Sequence, residues 1–144
     1  LFALESQDPI KDFDFLGITI QYEMCYTNIL QVLDLSGIPM LAADRGEDDP
    51  IVIGGGPCAY NPEPLADFFD IFYIGEGETV YDALMDAYKA NKAAGGSREQ
   101  FLEWQLQFRV CMYRLFMMWL TMKTVPLHPL GLIVHVRLQL STNR

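Results

Sequence analysis

The sequence predicts an α/β fold: a parallel sheet with flanking helices. Three observations predict it. Short apolar runs rich in β-branched or aromatic residues recur at "FDFLGITI" (13–20), "IVIGGG" (51–56) and "DIFYIG" (70–75). Stretches with apolar residues at helical spacing lie between and after them. The runs also lack the polar alternation of a strand with one wet face, which is the pattern of parallel strands covered on both sides. Repeated strand–helix alternation with short connections implies a doubly wound arrangement.

Each element has its own signal. "FDFLGITI" is bounded by Asp12 and Gln21 and reads as a buried strand. In "YEMCYTNILQVLDLSGIP", Met24, Ile29, Val32 and Leu33 recur at roughly helical spacing, Gly37 supplies a C-terminal stop, and Pro39 follows it. A polar connection turns at Gly46 and Pro50 before "IVIGGG". "NPEPLADFF" predicts a short helix with Pro64 near its first turn. After "DIFYIG", the stretch "EGETVYDALMDAYKANKAAGG" reads as an amphipathic helix closed by Gly95 and Gly96, with Val80, Leu84, Ala87 and Tyr88 facing the sheet.

Bulk properties narrow the function. A chain of 144 residues, 51% of them hydrophobic, suits one domain with a core. A formal charge of -9 argues against a nucleic-acid partner, whose phosphates need clustered Lys and Arg. Cys25, Cys58 and Cys111 form neither a C-x2-C pair nor a disulfide framework, which fits a reducing cytoplasm and no zinc site. The acidic start "LFALESQDPIKDFD" is unlike a signal peptide and has no initiator Met, so the chain is expected to be truncated upstream.

In parallel sheets a ligand sits beyond the carboxyl ends of the strands. Gly54 to Gly56 and Gly75 to Gly77 fall there, where bare backbone admits a ligand closely and N–H groups can hold phosphate or amide oxygens. Glycine after a strand also makes ordinary turns. No G-x-G-x-x-G or G-x4-G-K-[ST] pattern is present, so the dinucleotide and nucleoside-triphosphate loops are not supported. Tyr22, Tyr26 and Asn28 stand where the first strand opens into its helix, although core packing accounts for the tyrosines equally well. Glu76 and Glu78 are acid–base candidates, against a role for Glu78 at the positive end of the following helix. Cys58 is either a reactive thiol or a small residue packed beneath a loop. Glu47 to Asp49 resemble a cation site only loosely, since neighbouring acids in a loop are usually solvated.

Taken together, "DFDFLGITIQYEMCYTNILQVLDLSGIP", "RGEDDPIVIGGGPCAYNPEPLADFFD" and "IGEGE" resemble the N-terminal region of a family of radical SAM proteins, in which a cobalamin-binding-like domain precedes the catalytic barrel. The resemblance covers residues 1 to about 103, and its most specific part is the ordered set GG-x-P, N-P-E-P, a strand and G-E-G-E. It implies a partial Rossmann-like or flavodoxin-like domain over 1–103, truncated at its N-terminus. Gly55, Gly56 and Pro57, and then Gly75, Glu76 and Gly77, would shape cofactor-facing loops. Gln21 to Asn28, with Gln21, Tyr22, Thr27 and Asn28, would add a further loop on the same edge. Cobalamin is the cofactor so implied, bound without a lower axial histidine because D-x-H-x-x-G is absent. The [4Fe-4S] cluster and S-adenosylmethionine belong to the missing barrel, since the three cysteines cannot supply C-x3-C-x2-C. That barrel is the expected partner. A freestanding flavodoxin-like module for a phosphate-bearing ligand is the alternative.

The last residues follow another pattern. All nineteen Asp and Glu fall at or before Glu103, while 104–144 hold both His, both Trp and four of seven Met. "VCMYRLFMMWLTM" is shorter than a membrane span of about 18 residues and carries Arg114, so no membrane partner is expected. A lost nucleotide near Glu103 accounts for the change. With suitable synonymous codons, restoring one base after Glu103 yields a continuation containing "GVYVPAFYDVAYNEDGT", which looks like the segment the family places next. The single-codon residues Met117, Met118 and Trp119 alone force Asp then Val in that frame. Residues 104–144 are therefore expected to be an out-of-frame, non-native tail with no domain of its own. Its His128 and His135 are not metal ligands on this reading, and Phe116 to Trp119 are an aggregation hazard.

Overall fold

The computed structural model describes residues 1–75, 81–105 and 111–113. Strands β1 (Phe15–Thr19), β2 (Ile51–Gly55) and β3 (Ile71–Tyr73) are parallel, and β4 (Cys111–Tyr113) closes the sheet antiparallel to β3. The order is β1-β2-β3-β4. Phe15 pairs with Ile51 and Thr19 with Gly55, while Ile53 pairs with Ile71. The α/β reading therefore holds. The order of the parallel strands does not reverse among the described residues.

Both faces are covered, which explains the unbroken apolar runs. Helix α1 (Tyr26–Ser36) and the segment between β2 and β3 cover one face, packing Ile29, Leu33, Leu65 and Phe69 against Ile20, Val52 and Phe72. Helices α2 (Tyr81–Ala93) and α3 (Arg98–Gln105) cover the other, packing Leu84, Phe101 and Leu102 against Ile51 and Ile71. Side chains alternate across a strand, so Ile51 and Ile53 serve the second face and Val52 the first. Each large side chain so buried contributes about 1.5–3 kcal/mol. Phe15, Tyr88 and Phe101 meet edge to face, with Phe15 and Tyr88 centroids 4.6 Å apart.

Helix boundaries follow local chemistry. Gly37 ends α1 in the left-handed conformation at φ 69, as its sequence position predicts. Leu84, Ala87 and Tyr88 face the sheet as expected, whereas Val80 lies outside the described residues. "NPEPLADFF" forms a short helix of the 3-10 type at Glu63–Leu65, with Pro64 in its first turn, where the missing N–H costs no intrahelical bond. Helix α3 is an element the sequence reading missed. Its signal is a reciprocal cap, in which Ser97 N–H donates to Gln100 Oε1 at 3.0 Å and Gln100 N–H donates to Ser97 Oγ at 3.2 Å.

Strand β4 falls inside the stretch that the sequence assigns to an out-of-frame tail. Pairing with β3 uses main chain alone, so it requires no selected side chain.

Candidate functional site

Gly54 to Gly56 and Gly75 lie at the same end of the sheet, because β2 and β3 are parallel and in register. The β1 exit joins them there. Ile20 N–H donates to the Gly55 carbonyl at 2.7 Å, and Cys58 N–H donates to the Ile20 carbonyl at 3.1 Å. This edge is the ledge expected beyond the carboxyl ends.

Its glycines are bare for different reasons. A Cβ on Gly54 would stand 3.0 Å from ring carbons of Phe69 and Phe72, so packing excludes a side chain. Gly56 has φ 92, and a Cβ there would lie 2.9 Å from Thr19 Cγ2 and 3.0 Å from the Ile20 carbonyl. Gly55 is another matter. Its nearest described neighbour would be the Tyr73 carbonyl at 3.9 Å, so packing leaves it free to carry a side chain. Gly75 follows β3 at φ 135. Glu76, Gly77 and Glu78 lie outside the described residues.

The β1 exit builds the second wall. Tyr22 is extended, Glu23–Cys25 make one 3-10 turn with Cys25 N–H on the Tyr22 carbonyl at 3.1 Å, and α1 starts at Tyr26. Gln21, Tyr22, Thr27, Asn28 and Pro57 are all exposed, and Gly55 is half-buried. Met24 and Tyr60 add exposed apolar surface at 81% and 73%. No side chain caps the start of α1. A hydrogen bond with Cys25 raises the Tyr22 pKa, whereas burial, reinforced by Cys58, raises that of Tyr26. Burial also pushes the Cys58 thiol up, with Glu23 and Cys25 adding to the shift. That disfavours the thiolate and supports the packed reading of Cys58 over the reactive one.

The opposite, amino-terminal end has a different character. Asp70 is buried and contacts two buried arginines: Arg45 Nη1 at 2.9 Å from Oδ2 and Arg98 Nη2 at 2.6 Å from Oδ1. The Arg98 contact is a charge pair without hydrogen-bond direction. Arg45 also donates to the carbonyls of Pro39, Met40 and Phe68, and Val52 N–H donates to Asp70 at 2.8 Å. Burial pulls the Arg45 pKa down and Asp70 opposes the fall. The sequence reading missed this network. Asp70 carried the signal, as an acid between Phe69 and Ile71 in a buried run, where a charge needs partners.

A cavity of about 330 Å³ adjoins that network, lined in part by Asp12, Asp14, Asp48, Tyr88, Lys92 and Arg98. Several of its polar groups are already engaged. Asp14 accepts from Tyr88 and Lys92, Glu47 accepts from Arg98 N–H at 2.7 Å, and Asp49 accepts from Gly46 N–H. Glu47 and Asp49 thus hold the connection and α3 together, and no group of three metal-ligating side chains occurs among the described residues. Parallel sheets present ligands at carboxyl ends, so the ledge is the candidate site and the cavity is not. No helix among the described residues is long and apolar enough to cross a membrane.

A parallel sheet with flanking helices defines an α/β domain, and comparison with known proteins makes the class specific. The family model described as "Radical SAM proteins, N-terminal" matches residues 1–123, and the chain belongs to that family. An uncharacterized protein of Methanocaldococcus jannaschii, MJ0966, is 39% identical over 80 residues, which is 54% of this chain and 16% of that relative. The chain thus covers a small part of the curated relative it matches. No solved structure matches.

Proposed function

We propose that this chain is an accessory N-terminal module of a longer radical SAM iron–sulfur enzyme, inactive alone, whose ledge holds a cofactor or substrate facing the catalytic barrel. Membership of the family and the open position at Gly55 support this reading. Gly55 is the single observation that carries the site: packing accounts for the bareness of Gly54 and Gly56, whereas among the described residues Gly55 has only the Tyr73 carbonyl, 3.9 Å from where a Cβ would stand, which supports a close approach by a ligand.

The iron–sulfur cluster does not fit this chain, because Cys25, Cys58 and Cys111 cannot supply C-x3-C-x2-C. Cluster and S-adenosylmethionine would therefore be held by the rest of the polypeptide and would supply radical chemistry there. A corrinoid is the class of ligand proposed for the ledge, where Gly55, Gly56, Pro57 and Gly75, together with Gln21, Tyr22, Thr27 and Asn28, would hold it. Glu76 and Gly77 belong to the same proposed loop. No histidine stands among these residues, so the group would be held by main chain and shape.

The shift in composition after Glu103 belongs to the same reading, as a lost nucleotide that separates module from barrel. The family match runs past Glu103 to residue 123, so the nucleotide sequence decides where the frame changes. A restored frame encoding C-x3-C-x2-C supports the proposal. An intact frame encoding this tail, with no such motif in a neighbouring frame, overturns it. Cobalamin absorbance titration of the frame-repaired protein tests the ligand: saturable binding lost in Gly55→Val supports the ledge, while selective binding of a flavin or nucleotide favours the freestanding module instead.

A further inference from the structure

We draw no further inference here: the strongest candidate, the acid-lined cavity at the amino-terminal end of the sheet, carries nothing because Asp14, Glu47, Asp49 and Arg98 are already engaged by the protein itself and nothing else among the described residues points to a ligand there.

Discussion

The two ends of this small sheet are made by opposite means. At the amino end, Asp70 gathers Arg45, Arg98 and the Val52 amide, and Arg45 adds three carbonyls from two connections. At the carboxyl end, β1 and β2 are laced by two main-chain bonds, and beyond them Tyr22, Met24, Tyr60 and Pro57 stand in solvent. One end is fastened so that the other can stay open. A buried charge cluster adds little stability relative to a well-packed apolar one, but breaking it is costly. It ties the connection between α1 and β2 and the segment before β3 to the start of β2.

The largest effect that would sharpen this contrast comes from Asp70→Ala. Leaving Arg45 and Arg98 buried without their counter-charge should cost about 3–5 kcal/mol, measurable by urea denaturation. A loss below about 1 kcal/mol would show that water reaches the cluster and that the fastened end is not fastened.

Gly56→Val comes next. It adds a Cβ at φ 92 against the Ile20 carbonyl, and should destabilise by about 1–3 kcal/mol. The same denaturation series would return a wild-type midpoint if the turn relaxes freely. Gly55→Ala should by contrast stay within about 0.5 kcal/mol of wild type while weakening any ligand on the ledge. A destabilisation equal to that of Gly56→Val would make all three glycines structural, and the distinction between them would fail.

The smallest effect is electrostatic. Hydrogen bonds from Lys92 and then Tyr88 hold the Asp14 carboxyl below its ordinary range. A lowered folded pKa adds stability that is complete above the unfolded value of about 3.9 and fades as pH falls through the folded one. Asp14 and Lys92 are largely exposed, so the contribution is small and screened by salt. Lys92→Met should flatten the acid limb of the stability–pH curve slightly at low salt. An unchanged limb would mean that the pair contributes nothing measurable.

How much of this was legible depends on the kind of signal. The apolar runs gave away all three parallel strands, because burial on both faces leaves no alternation to misread. Gly37 gave away the end of α1 through its conformation. The ledge was legible as a location, since it follows from strand direction, and Gly54 to Gly56 and Gly75 do share one edge. Their individual roles were not legible. Whether Gly54 faces an aromatic pair or open space depends on Phe69, fifteen positions away in the chain. The arginine network was hidden for the same reason, since Arg45, Asp70 and Arg98 meet only after the sheet has formed.

Arg45 belongs to no strand or helix that covers the sheet, yet four contacts converge on its side chain. The stretch between α1 and β2 is thus as much a strut as a link. A circular permutant opened between Met40 and Glu47 would begin its folding with that strut severed, and a graft that trades this stretch for a flexible spacer would transplant the strands without the brace that aligns them.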